Sequence, residues 1–267
     1  MALSPSLINT GSVTTFDLHG RTAVVTGGGT HIGRAIAATL ARAGASVHIV
    51  GRRRGPIDAA TQDLTSEGLS CWGHTGDVSD EDTVERLLDK ILDGKPLDVL
   101  VANAGGRGGY ALAPDIGMAQ WWETFRLNVG TAAVSAQAAA RRMREGGRIV
   151  LLGSIHGILG ADSRTYGHHY RPSGSDYHAA KGAVVNLTRS LACALGAQGI
   201  TVNCISPGQI PPANADPETV ELFRQASPLG VVGRPQDVAG VALLLASPAG
   251  RFITGQNIVV DGGWSAW

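Results

Sequence analysis

Seven short apolar stretches punctuate the chain, and a longer stretch with helical spacing of its apolar residues follows most of them. The short stretches are residues 22–26, 46–50, 69–74, 97–102, 148–152, 200–205 and 257–260. Most run as Val, Ile, Leu and Ala without polar alternation, as in Ala23-Val24-Val25 and Val99-Leu100-Val101. Strands of that pattern are buried on both faces, the situation of a parallel sheet covered by helices on either side. Helical patterns occupy about 32–43, 56–66, 80–92, 118–144, 177–198 and 236–245. This alternation with short links implies right-handed crossovers. The expected fold is therefore α/β, a doubly wound parallel sheet of about seven strands with helices on both faces. No linker or repeat divides the 267 residues, so one domain is expected over 16–267, with residues 1–15 as a flexible arm.

Charge and composition exclude several classes of partner. Lys plus Arg and Asp plus Glu are both 22, so nothing favours nucleic acid or an anionic membrane surface. No apolar run approaches the roughly 20 residues of a membrane span. The opening MALSPSLINTGSVTT has neither the basic nor the apolar region of a secretory signal. Cys71, Cys193 and Cys204 are scattered without metal-ligand spacing, which suits a reducing cytoplasm. The expected partner is a small molecule.

Two connections are long: 155–176, and 206–225 with prolines 207, 211, 212 and 217. Both leave the carboxyl ends of strands, where open α/β sheets bind ligands. The first strand–helix turn reads Thr26-Gly27-Gly28-Gly29-Thr30-His31-Ile32-Gly33. A helix amino terminus after such a turn offers amide donors and a positive dipole end to a pyrophosphate. Gly27 supplies the tight turn and Gly33 permits close helix packing. His31 stands where a glycine is expected, and disrupts the loop only if that position needs φ > 0 or a bare Cα. After the second strand, Gly51-Arg52-Arg53-Arg54 carries three guanidiniums and no acid. A ribose 2′-hydroxyl calls for an acid there and a 2′-phosphate for arginine, so NADP(H) is expected over NAD(H).

The chemistry concentrates in Tyr177-His178-Ala179-Ala180-Lys181. Tyr177 and Lys181, four residues apart, share a helix face. A phenol that exchanges protons near neutrality needs its pKa of about 10 brought to about 7, roughly 4 kcal/mol of phenolate stabilisation. A lysine ammonium and a cationic nicotinamide can supply it.

With these motifs in order, the sequence resembles the short-chain dehydrogenase/reductase family, in particular gluconate 5-dehydrogenase-like members, from about Phe16 to Trp264. The resemblance rests on the Thr26–Gly33 loop, Asp77-Val78, Asn103-Ala104-Gly105, Asn128, Ser154, Tyr177, Lys181, Pro207-Gly208 and the ending Val260-Asp261-Gly262-Gly263. It implies a Rossmann-type domain and an alcohol/ketone oxidoreductase that acts by hydride transfer. Tyr177 would be the general acid/base, and Ser154 would bond the substrate oxygen. Lys181 would lower the tyrosine pKa and hold the nicotinamide ribose, and Asn128 would position a relay water. Gly27, Gly29, Thr30, His31, Ile32, Gly33, Arg52, Arg53, Asp77, Val78, Asn103, Ala104, Gly105, Pro207, Gly208 and Ile210 would join Tyr177 and Lys181 in holding the cofactor. The family likeness also implies a homotetramer.

Two features depart from the family. The threonine usual after Pro207-Gly208 is absent, so Ile210 backbone groups are assigned the carboxamide. The Ser154–Tyr177 interval is about ten residues longer than usual and carries His156, Arg164, Tyr166, His168, His169, Tyr170 and Arg171. His156, His168, His169 and Arg171 are candidate substrate contacts. No carboxylate or thiolate completes a metal site with the paired histidines, so none is expected. Two rivals remain: an epimerase or dehydratase using hydride transfer internally, and a nucleotide-sensing protein without chemistry. The intact Ser–Tyr–Lys–Asn set argues against the sensor.

Overall fold

The computed structural model describes residues 14–109, 111–161 and 173–266. Of the expected arm, only Thr14 and Thr15 are among these residues, in the 3₁₀ turn Thr14–Phe16. Seven strands form one parallel sheet: β1 (Thr22–Thr26), β2 (Ser46–Gly51), β3 (Cys71–Thr75), β4 (Leu97–Ala102), β5 (Met143–Leu152), β6 (Thr201–Pro207) and β7 (Asn257–Val260). The order is β3-β2-β1-β4-β5-β6-β7. The chain winds outward from β1 to β3, then returns to β4 beside β1. This reversal opens a crevice at the carboxyl ends of β1 and β4.

Helices α1 (His31–Arg42), α2 (Arg54–Ser66) and α8 (Pro235–Ala246) cover one face of the sheet. Helices α3 (Glu81–Leu92), α5 (Thr131–Ala140) and α6 (Ser175–Leu195) cover the other. Along β1, Ala23 and Val25 face the first layer and Val24 the second, all buried. Two buried faces explain why the strands read as unbroken apolar runs. At roughly 25 cal/mol per Å² removed from water, these two interfaces are the main source of the fold's stability.

Three local expectations need correction. The pattern over 118–144 is not one regular helix. Helix α4 (Met118–Phe125) passes through a wide π turn at Arg126–Gly130 into α5, which ends at Ala140. The chain then enters β5 at Met143 because Leu97 pairs with Met143 across the sheet. Finally, the proline-rich connection 206–225 contains α7 (Pro217–Ala226), begun by Asp216, whose carboxylate accepts from the Thr219 amide at 2.9 Å. Proline at the first helical position followed by an acid is the expected start of a helix.

Candidate active site

The β1–α1 loop is shaped by two close approaches. Gly27 has φ +66°, the left-handed region that glycine enters without strain, and its amide donates to Val50 O at 2.7 Å. A Cβ on Gly33 would lie 2.2 Å from Gly27 O and 2.5 Å from Asn103 Nδ2, so no larger residue fits. Asn103, after β4, ties the loop down: its Nδ2 donates to Thr26 O at 3.0 Å and to Gly27 O at 3.2 Å. Ala104 N donates to Thr26 Oγ1 at 3.1 Å. Thr30, the N-cap of α1, makes no side-chain capping bond, so the first-turn amides of α1 keep their donors for a ligand.

His31 meets one of the two conditions under which it was expected to disrupt this loop. Its φ is +49°. Left-handed backbone costs an L-residue about 1–2 kcal/mol. The strain is borne locally: the Asn103 and Ala104 hydrogen bonds remain in place around it.

The loop forms one wall of a cleft of about 620 Å³. Gly27, Gly29, Thr30, His31, Ile32, Gly33, Arg52, Arg53, Asp77, Val78, Asn103, Ala104 and Gly105 all line it, so the structure gathers the expected cofactor residues of the first four strands in one place. Its size and its ring of amides, guanidiniums and apolar walls fit a dinucleotide. Arg54 is instead the first residue of α2. Asp77 is held below the ordinary carboxylate range, chiefly by the Ser79 amide at 3.0 Å and the Ser79 hydroxyl at 2.8 Å, with Arg52 and Arg126 adding attraction. The sequence reading missed Leu127 and Thr131 as further walls of this cleft. Thr131 follows Asn128 by three residues, and helical spacing was the signal available for it.

A second cavity of about 320 Å³ shares Ile32 with the first. Ser154, His156, Tyr177, Pro207, Gly208 and Ile210 line it, together with Arg107 and Ser173, which the sequence reading did not single out. Arg107 lies two residues past Asn103-Ala104-Gly105, at the carboxyl end of a strand, and donates to Ser173 Oγ at 3.1 Å. Ser154 caps the 3₁₀ turn Ile155–Gly157, its Oγ accepting from His156 N at 3.1 Å. Burial, the stacked His178 ring at 4.5 Å and Arg107 push the pKa of His156 down to about 4. This side chain is a neutral hydrogen-bonding wall at neutral pH. The remaining substrate candidates, His168, His169 and Arg171, with Arg164, Tyr166 and Tyr170, lie outside the described residues.

Beneath the second cavity, Lys181 is 6% exposed, with its Nζ 5.7 Å from the centre of the Tyr177 ring and donating to Leu152 O at 2.8 Å. Asn128 sits in the π turn and is 2% exposed. Its Nδ2 donates to Gly106 O at 2.6 Å and Thr124 O at 2.8 Å. A buried lysine beside a phenol, with a serine hydroxyl on the same cavity, can move a proton onto or off an oxygen bound there.

The sequences and structures of known proteins bear on this geometry directly. The profile of the family described as enoyl-(acyl carrier protein) reductase matches residues 29–265. Cis-4-hydroxycyclohexanecarboxylate dehydrogenase of Sinomonas cyclohexanicum is 36% identical over 252 residues, covering 92% of this chain and 97% of that protein. Gluconate 5-dehydrogenase of Gluconobacter oxydans (strain 621H) is 34% identical over 256 residues, covering 93% and 96%. A short chain dehydrogenase from Burkholderia cenocepacia J2315, solved in complex with NADP, superposes with a TM-score of 0.82 at 33% identity, covering 93% of this chain and 99% of that one. Similarity of this extent, in sequence and in structure, places the chain among oxidoreductases: it belongs to the short-chain dehydrogenase/reductase family.

Proposed function

We propose that the protein interconverts a secondary alcohol and a ketone with NADP(H). The observation that carries this reading is the meeting of Ser154 and Tyr177 on one cavity that shares Ile32 with the cofactor cleft, above buried Lys181. The nicotinamide supplies or accepts the hydride when bound. Tyr177 gives its proton to the carbonyl oxygen in reduction and takes it back in oxidation. Ser154 Oγ accepts from His156 N and would donate its O–H to the substrate oxygen. Lys181 spends one of three donors on Leu152 O and keeps the others for the cofactor ribose. Asn128 positions a water that links Lys181 to solvent. Pro207, Gly208 and the backbone of Ile210 border the nicotinamide end.

Arg52 and Arg53 on the cleft wall, with Gly51 in place of an acid, support a cofactor carrying a 2′-phosphate. The names of the relatives, dehydrogenases of a hydroxycyclohexanecarboxylate and of gluconate, support an alcohol substrate. Met118 and Trp122, one turn apart on α4 and 58% and 66% exposed, and Phe252, 97% exposed, support an assembly that covers them, which we assign as a homotetramer. No helix of the described residues is long and apolar enough to cross a membrane. Free Cys71, Cys193 and Cys204 support a cytoplasmic setting.

The test is Tyr177→Phe assayed on a panel of sugars, polyols and ketones through the absorbance of the reduced nicotinamide. Turnover should fall by about 10²-fold or more while NADPH binding holds. Turnover near wild type would refute the acid–base assignment.

A further inference from the structure

Asp176 immediately precedes Tyr177 in the first turn of α6 and is 2% exposed. A carboxylate taken that far from water must be compensated by hydrogen bonds. Among the described residues two donors are provided, and both come from α4. Thr124 Oγ1 donates to Asp176 Oδ2 at 2.6 Å, and Gln120 Nε2 donates to the same oxygen at 3.1 Å. The positive end of the α6 dipole adds support.

Each donor is itself fixed by the loop after β4. With its proton given to Asp176, Thr124 Oγ1 accepts from Gly108 N at 2.9 Å. Gln120 Oε1 accepts from Ala111 N at 3.2 Å, and Nε2 donates to Ala111 O at 3.2 Å. That pair of bonds sets the amide orientation, so Gln120 can present only a donor to Asp176. The main chain of the same threonine accepts from Asn128 Nδ2. One carboxylate therefore joins the residue before Tyr177, the helix leading to Asn128, and the loop that contributes Gly106 and Arg107 to the second cavity.

We infer that Asp176 is a positioning residue, which holds Tyr177 and Asn128 in register for proton transfer. The inference rests on the oxidoreductase reading for its kinetic consequence, and on geometry alone for its structural one. The hydrogen-bond logic makes it specific. Because Thr124 and Gln120 donate to one oxygen, Asp176→Asn can set its side-chain oxygen in the place of Oδ2 and keep both bonds. Asp176→Ala removes the acceptor and leaves the buried Thr124 hydroxyl and one Gln120 N–H without it.

The experiment compares the wild-type chain, Asp176→Ala and Asp176→Asn. We measure kcat and KM per folded molecule, NADPH affinity by fluorescence, thermal midpoint, and amide hydrogen exchange at the start of α6. Asp176→Ala should lose about tenfold or more in kcat, with KM and NADPH affinity little changed, and should exchange faster at Tyr177 and His178. Asp176→Asn should keep most of the kcat and of the protection. Loss of thermal midpoint with unchanged kcat per folded molecule in Asp176→Ala would make Asp176 merely structural and overturn the inference, as would an Asp176→Asn that falls as far as Asp176→Ala. If the wild type turns over no carbonyl or alcohol on the panel, the oxidoreductase reading fails instead. The exchange data then decide the linkage alone.

Discussion

Acid should loosen this protein through His156, and the size of the effect can be worked out. Its side chain is 8% exposed in the wall of the second cavity, stacked on His178 at 4.5 Å and near Arg107. Burial and these two neighbours take its pKa from 6.5 down to about 4. Above pH 6.5 the imidazole is neutral in both folded and unfolded chains, and its contribution to stability is fully present. As the pH falls toward 4, the unfolded chain binds a proton that the folded one refuses, so stability is lost across this window. At about 1.4 kcal/mol per pH unit, the loss is at most about 3 kcal/mol. Replacing His156→Phe keeps a flat ring against His178 and removes the titration. The assay is urea denaturation of both proteins, without cofactor, at pH 6.5 and at pH 4. The wild type should lose about 1–3 kcal/mol more than the variant between the two conditions. A constant offset between the proteins reflects other lost imidazole contacts and carries no weight. Parallel loss in both would show that His156 is not kept neutral by its surroundings.

Other perturbations probe the cofactor cleft. Gly33→Ala drives a Cβ to 2.2 Å from Gly27 O, and overpacking of this kind costs about 1–3 kcal/mol. NADPH affinity should drop about tenfold or more by fluorescence titration, and unchanged affinity would refute the close approach. His31→Gly removes a left-handed strain of about 1–2 kcal/mol and adds about 0.5–1 kcal/mol of glycine freedom. The net is a slightly raised thermal midpoint, and a lowered one would mean that the imidazole contributes more than the strain removes. Arg52→Ala should weaken NADPH about 10- to 100-fold, in line with a charged hydrogen bond of about 1.5–3 kcal/mol, and leave NADH nearly unchanged. Equal losses for both cofactors would refute a 2′-phosphate contact.

The strands were legible because their burial on both faces is written into composition: β1 and β4 match their expected bounds at both ends. The motif residues were legible for a related reason, since carboxyl ends of parallel strands converge whatever lies between them. What escaped was of two kinds. Helix α7 hid inside a proline-rich run, although Asp216-Pro217-Glu218 carried a start signal that counting prolines obscured. The other kind had no local signal. A π turn leaves no periodic trace, and the start of β5 depends on pairing with Leu97. The bond from Thr124 to Asp176 joins residues 52 positions apart. Only the folded chain shows that this aspartate is buried.

The π turn at Arg126–Gly130 also fixes a residue count. Each residue added to or removed from a helix rotates everything beyond it by about 100°. Before the turn, Gln120 and Thr124 must meet α6; within it, Asn128 must reach Gly106 O; beyond it, Ala132, Ala136 and Ala139 must meet the sheet. The wide turn lets all three contacts coexist on one continuous rod. Substitutions on its outer surface leave that phase intact, whereas deleting one residue near Val129 breaks either the amide contact or the alanine face. Across descendants of this chain, length changes should accumulate in surface connections and be absent from 118–140.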